Sequence, residues 1–448
     1  MTAAPRKPAP ADDLLVEIGT EELPPKALRQ LGAAFADLLG AQLHAAGLTE
    51  ADHPDVEWFA APRRLAVCVS KVRRRQPDQH GERRGPPVSA AYDDRQKPTP
   101  AALGFAKSCG LSVAALQAAE VGGVLRLVHR YTERGKPAAH LLAGCVEDAL
   151  AKLPIPKRMR WGAGDAEFVR PVHWVVLLHG ARVVKGKILS IPTGGCTRGH
   201  RFHSPEPLTI PHPDEYAAIL RDLGWVLADF AGRRAEVRRQ VLKAARRRRG
   251  TALIDDALLD EVTGLVEWPY ALAGEFDPEF LELPSEVLIS CMRDHQKYFP
   301  VRDAGGALLP YFVTVANIKT KSLHRVRSGN ERVLRARLQD ARFFWDSDRK
   351  QTLAERRTAL RGVLFHKRLG SVWDKSERLG DLCAFLAAEL GLPHATCERA
   401  AHLAKADLVT DMVGEFPELQ GTMGRYYACL DGEPEAVAEA IGAHYQPR

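Results

Sequence analysis

Leu14-Leu15-Val16-Glu17-Ile18-Gly19, followed at once by Thr20-Glu21-Glu22-Leu23-Pro24-Pro25, decides the class of fold. The apolar run reads as a short strand. Thr20, with acids beside it and prolines close behind, reads as a helix start. From Lys26 to Gly47, Leu28, Leu31, Phe35, Leu38, Leu39 and Leu43 recur at helical spacing. A strand feeding an amphipathic helix within the first fifty residues places the chain among folds that mix α and β. Upstream, residues 1–13 (MTAAPRKPAPADD) have no apolar run of signal-peptide length and read as a disordered tail.

Downstream, Phe59 to Val72 reads as a turn at Pro62 and then a strand with Leu65, Val67 and Val69 alternating. The Gly-, Pro- and charge-rich stretch Gln76 to Pro100 reads as loop. Thr99–Cys109 and Ser112–Glu120 read as short helices, Val124–Tyr131 as a strand and His140–Leu153 as a helix. Phe168–Leu178 and Val183–Ile191 read as sheet strands, and residues 192–213 as a long connection carrying functional loops. The pattern turns helical from Pro213 to Arg249 and mixes both signals from Leu253 to Leu309. Tyr311–Asn317 reads as a strand, and nearly everything from Asn330 onward as helix. The expectation is an α+β multidomain chain: a tail over 1–13, an α+β domain over 14–212, a second α+β domain over 213–325 and a helical domain over 326–448.

Composition narrows the function classes. With 448 residues, 45% hydrophobic and 27% charged, the chain can build sizeable cores without staples. No apolar stretch approaches the ~20 residues needed to span a bilayer, so no membrane partner is expected. The eight cysteines are dispersed without a CxxC pair, which suits reduced thiols in the cytoplasm. Of the 63 basic residues 18 are lysine, leaving 63 − 18 = 45 arginines, against 56 acids. Arginine forks match phosphate oxygens and stack on bases, so nucleic acid is a partner to consider; codon bias in an alanine-rich chain is the competing explanation. There is no GxxxxGK[ST], GxGxxG, GxSxG or HExxH motif, and Gly162-x-Gly164 lacks a third glycine. A self-contained nucleotide-using enzyme of those types is therefore not expected.

Basic residues instead cluster with aromatics or glycine. Ala61-Pro62-Arg63-Arg64-Leu65 displays Arg63 and Arg64 just before a strand. Cys196-Thr197-Arg198-Gly199-His200-Arg201-Phe202-His203 combines two arginines, two histidines, a glycine and an aromatic, which suits either phosphate grip with base stacking or plain packing. Its histidines lack a carboxylate or cysteine at ligand spacing. In His295-Gln296-Lys297-Tyr298-Phe299 the polar positions could face a groove. A basic helix is expected over Arg325–Arg342, with arginines at 332, 335, 337 and 342 and with Glu331, Asp340 and Asp346 available for ion pairs.

Read together, these blocks resemble the β subunit of bacterial heterotetrameric glycyl-tRNA synthetase. The matching segments run from LLVEIGTEELPPKAL at 14–28 and APRRLAV at 61–67 through KPTPAALGFAKSCG at 97–110, KRMRWG at 157–162 and FVRPVHW at 168–174. They continue with TRGHRFH at 197–203, LLDEVTGLVEWP at 258–269, HQKYFPV at 295–301 and GNERVLRARLQDARFFWDSDRK at 329–350. LGSVWDKSERL at 369–379 and KADLVTDMVGEFPELQG at 405–421 complete the series. The resemblance implies two α and two β subunits that attach glycine to tRNA(Gly), with ATP, Mg and the catalytic core on the α subunit. No cofactor or catalytic residue is then expected on this chain. It also implies that the β subunit engages tRNA, for which the basic clusters supply the candidates Arg63, Arg64, Arg198, His200, Arg201, His203, Lys297, Asn330, Arg335 and Arg337. The helical part is similar to the HD phosphohydrolase superfamily, with Ala406-Asp407 where an active member has His-Asp. His366, His402 and Asp407 are then remnants, and no metal is expected. Family members continue beyond the match to His444–Arg448 into an anticodon-binding domain, so anticodon recognition is not assigned here. An HD-type phosphohydrolase and a non-catalytic RNA-binding or assembly protein are the alternatives.

Overall fold

The structure, a computed structural model, describes residues 10–50, 54–93 and 95–447. The chain divides into two compact units, Met1–Phe230 and Ala231–Arg448. The fold is α+β with a helical C-terminal region.

The first unit is organised by the apolar run that opens it. The strand Ala11–Thr20 lies in the middle of a sheet, antiparallel to Arg64–Arg73 on one side and to Val172–His179 on the other. Val56–Ala61 extends the sheet beyond Arg64–Arg73, and Ile191–Gly194 runs parallel to Val172–His179. Because side chains alternate across a strand, Leu14, Val16 and Ile18 join a core with Leu28, Leu31, Phe35, Leu39 and Leu43 of the helix Pro25–Ala45 and with the helix Leu142–Ala151. Leu15 faces the opposite way, into a second core with Val176, Tyr216, Leu220 and Val226. A strand buried on both faces reads as a continuous apolar run, which is why Glu17 stands out in it.

Several expectations are corrected here. Thr20 does not start the helix: its N–H donates to the Arg63 carbonyl at 2.8 Å, and the helix begins at Pro25, where a missing N–H costs nothing. Residues 11–13, assigned to the tail, open the first strand, and Asp12 pairs with Arg74 there; residues 1–9 lie outside the described residues. Gln76–Pro100 is not all loop. Gln79–Pro87 is a strand paired with Val124–Glu133, invisible to a hydrophobic pattern because its side chains are polar and arginine-bearing and it is held by main-chain pairing. Ser112–Glu120 is not a helix. After a 3₁₀ turn at Val113–Ala115, Gln117–Val121 pairs with Val124–Glu133 through a two-residue hairpin at Gly122-Gly123, so tertiary pairing overrides an alanine-rich helical propensity.

In the second unit a four-stranded antiparallel sheet is ordered Thr251–Ala252, Phe299–Arg302, Leu308–Ala316, Tyr270–Glu275. Val237, Val241, Leu259 and Val262 of the helices Phe230–Arg246 and Asp256–Leu265 cover it. A further core joins Met292, Tyr298 and Phe312 to Leu334, Leu338 and Trp345 of the helix Leu323–Asp348 and to Met423, Tyr427 and Ile441. The region after Asn330 is not helical throughout, since Leu364–His366 and Gly370–Ser371 form a small hairpin. Two buried aspartates serve helix starts. Asp348 accepts the N–H groups of Asp411 and Met412, and Asp407 those of Gly421 and Gly424. All eight cysteines are free thiols. Among the described residues no helix is long and apolar enough to cross a membrane.

Candidate nucleic-acid interface

A carboxylate in a strand buried on both faces must find partners. Glu17 is fully buried and has four. Its Oε1 accepts from Arg64 Nη1 at 3.0 Å, Thr197 Oγ1 at 2.8 Å and the Tyr216 hydroxyl at 3.0 Å; Oε2 accepts from Trp174 Nε1 at 3.1 Å. Arg64 also donates to Thr197 Oγ1 at 3.2 Å. Burial, and then the Glu17 charge, push the Tyr216 hydroxyl well above its ordinary pKa, so it stays a donor. One carboxylate thus ties together the APRR turn, the FVRPVHW strand and the TRGHRFH segment.

The indole it holds forms the floor of a surface basin. Trp174 lies flat over the strand Ala11–Thr20 because its neighbour there is Gly19, where a Cβ would stand 1.9 Å from the ring. The guanidinium carbons of Arg63, Arg64 and Arg198 lie 5.7, 5.7 and 5.9 Å from the centre of the indole, within cation–π range. Arg63, Trp174, Arg198, Arg201, His173 and Glu21 line a cavity of about 420 Å³. Glu21 sits between Arg201 (2.7 Å) and His173 (2.9 Å), with Glu22 at 3.5 Å from Arg201. Burial raises the Glu21 carboxyl, but the Arg201 hydrogen bond and the charges of Arg201, Arg63 and His173 outweigh it, and its pKa is lowered.

Arg198 is exposed and has no carboxylate within ion-pair distance among the described residues. Arg201 is answered by Glu21 and Glu22, while Asp214 bonds to His212 at 2.6 Å. A basin with three guanidiniums and one carboxylate, floored by an indole, has the chemistry to hold a phosphodiester.

Two candidates of this unit sit elsewhere than expected. Arg64 is not displayed before its strand but is fully buried against Glu17, and His200 is 1% exposed. His200 Nδ1 accepts from the N–H groups of Phe202 and His203 at 3.2 and 3.3 Å, so it shapes the loop that carries Arg198 and Arg201. His203 is half-buried between the rings of His200 and Trp225, at 4.7 and 4.9 Å. Glu17, Glu21, His173, Trp174 and Tyr216 were not singled out from the sequence. Only Glu17 carried a signal, as a lone charge inside an apolar run.

In the second unit the candidates are mostly engaged internally. Cys291–His295 is a π-turn, and Lys297 follows it at φ +58°, a conformation that disfavours side chains. Lys297 Nζ pairs with Glu261 at 3.2 Å and donates to the Asp294 carbonyl at 2.9 Å. Asn330 accepts from the Tyr298 hydroxyl at 2.6 Å and donates to the Val326 carbonyl. Arg337 pairs with Glu415 at 2.9 Å and lies 3.4 Å from His295 Nδ1. Arg335 is exposed, with no ion pair among the described residues. His366 lies on the exposed hairpin, the His402 ring lies against Gly380, and Asp407 is buried as a helix cap. Among the described residues no group of three His, Cys, Asp or Glu side chains could hold a metal ion.

Fold and basin together define an α+β protein with an arginine-lined surface suited to a polyanion. The chain belongs to the glycyl-tRNA synthetase beta subunit family, whose model matches residues 14–448. It is 51% identical over 436 residues to the glycine–tRNA ligase beta subunit of Hahella chejuensis, covering 97% of this chain and 63% of that protein. It is 50% identical over 437 residues to those of Marinobacter nauticus and Chromohalobacter salexigens, again covering 97% of this chain and 63% and 62% of those proteins. The chain therefore spans a little under two thirds of the length of these curated relatives.

Proposed function

We propose that this chain is the tRNA-engaging part of a cytoplasmic glycine–tRNA ligase. It holds tRNA(Gly) while an α subunit, two of each forming the assembly, attaches glycine with ATP and Mg. The carrying observation is the basin around Trp174, where Arg198 meets an indole but, among the described residues, no carboxylate. Its arginines meet the RNA backbone, with Arg63 and Arg198 held in place from below by the network of Glu17. Chemistry at glycine and ATP belongs to the partner; this chain's share is to bind and orient the acceptor RNA.

Mixing the purified chain with the α subunit and assaying glycine charging of tRNA, beside each component alone, tests this. Charging that appears only on mixing is expected. Metal-dependent phosphate release by this chain alone would make it a hydrolase, and RNA binding without charging on mixing would make it a binding or assembly protein. Arg198→Ala should weaken tRNA binding by about 1–3 kcal/mol, the worth of a charge-assisted hydrogen bond. Its melting temperature should hardly move, because an exposed arginine contributes little to the fold.

A further inference from the structure

The second unit contains a cavity that the RNA-binding reading leaves unused. It measures about 540 Å³ and is lined by Leu283, Leu288, Leu308, Trp345 and Tyr426, with Arg302 as its cation. Arg302 closes a strand, opposite Leu308 across the hairpin. Its Nε is buried without a hydrogen-bond partner, and its guanidinium has no carboxylate within 4.0 Å among the described residues. Glu282, which also lines the cavity, is committed to Arg342 at 2.8 Å, and Glu286 to the Tyr426 hydroxyl at 2.8 Å. The cavity therefore offers an uncompensated, partly desolvated cation beside aliphatic walls.

The aromatic side chains decide what fits. Trp345 stacks on Tyr427 at 5.3 Å, receives Tyr426 edge-on at 6.4 Å and carries Arg349 at 5.7 Å. Packed by these three neighbours, Trp345 is only 7% exposed and offers a nucleobase little platform, which disfavours RNA here. A lone arginine is likewise a poor match for a lipid surface, which needs several cations. We infer that this cavity docks an acidic, aliphatic segment of a partner polypeptide, one carboxylate on Arg302 and the neighbouring aliphatic side chain between Leu283, Leu288 and Leu308. A single fork answered by one planar carboxylate, with space for one or two side chains, is the complementarity on which this rests.

The test titrates the full chain with Ac-Leu-Glu-Leu-NH₂ and with Ac-Leu-Gln-Leu-NH₂, read by ligand-observed NMR. The Glu peptide should bind in the millimolar range, and the Gln peptide about ten- to a hundredfold more weakly. Arg302→Gln should remove that preference. Should Arg302→Gln fail to fold, Ala307→Trp, at the exposed hairpin tip, fills the cavity and should block binding. Equal binding of the two peptides, binding unchanged in either folded variant, or no binding by about 10 mM peptide overturns the inference. Displacement of the Glu peptide by oligoadenylate would make the cavity an RNA site. Tighter binding of free 4-methylpentanoate than of the peptide would make it a small-molecule site.

Discussion

Glu17 shows how much one residue can decide. Its carboxylate is met by Arg64, Thr197, Tyr216 and Trp174, drawn from segments up to 199 residues away. Replacing it by glutamine keeps the shape but removes the charge that faces a fully buried guanidinium. Breaking a buried pair from one side costs about 3–5 kcal/mol. Glu17→Gln should therefore lower unfolding free energy by about that much in urea titrations; a loss below about 1 kcal/mol would show that the other partners of Arg64 suffice without the charge. Lys405 poses the opposite case. It is 9% exposed and its amine lies 3.7 Å from the Tyr445 ring. Burial, then repulsion from Lys375, depress it from 10.5 to about 8, against the pull of Asp407. Between those two values the unfolded chain holds a proton that the folded chain has released, so stability rises with pH across that window; below about 8 the whole penalty of burying the charge remains. Lys405→Met keeps the stem and removes the charge. It should stabilise the fold near neutral pH and cancel this rise, seen as the difference in urea midpoint between wild type and variant from pH 7 to 10. An unchanged difference across that range would mean that the ammonium is well accommodated.

Elements with an apolar stripe or run were legible in the sequence, and those built on backbone pairing were not. The helix Pro25–Ala45 buries Leu28, Leu31, Phe35, Leu39 and Leu43 of its expected stripe, and the strand Leu308–Ala316 and the helix Leu323–Asp348 stand where a strand and a basic helix were expected. In the sheet of Gln79–Pro87, Gln117–Val121 and Val124–Glu133 only the last shows as a strand in the sequence; the other two escape because the sheet's buried core is small: Ala91, Ala102, Ala106, Val113 and Leu127. What specifies it locally is the turn. Gly122 and Gly123 have φ of +63° and +76°, and beyond their chain neighbours no atom lies within 4 Å of where either Cβ would be, so it is the backbone that requires glycine. Replacing both by valine should cost about 1–2 kcal/mol per residue, whereas Asn-Gly should be nearly neutral. Amide exchange across residues 117–133 reads this directly, and equal protection in the Val-Val variant would show that the turn does not set the pairing. The basin follows the same logic. Its arginine-bearing segments could be named from composition, but their convergence on Trp174 depends on pairings between residues more than a hundred positions apart, which no local pattern carries.

For the molecule as a whole, a formal charge of +7 is a poor guide to where a polyanion binds. Many arginines are already answered by acids: Arg74 by Asp12, Arg234 by Asp256, Arg342 by Glu282 and Arg399 by Glu433. Such pairs have little charge left to exchange for counterions, so RNA affinity should be carried by the few cations that are not neutralised, Arg198 foremost. Each phosphate that a free cation neutralises contributes about −0.7 to −0.9 to the slope of log affinity against log salt, the lower figure for single strands. Wild-type tRNA binding should therefore weaken linearly on that plot. Arg198→Ala should make the slope shallower by about one such increment. Arg399→Ala removes the same formal charge from a guanidinium bonded to Glu433 at 2.5 Å, and should leave the slope as it was. A flat salt response would sink phosphate contact altogether. Equal slope changes in the two variants would show that net charge, rather than the geometry around Trp174, draws the RNA in.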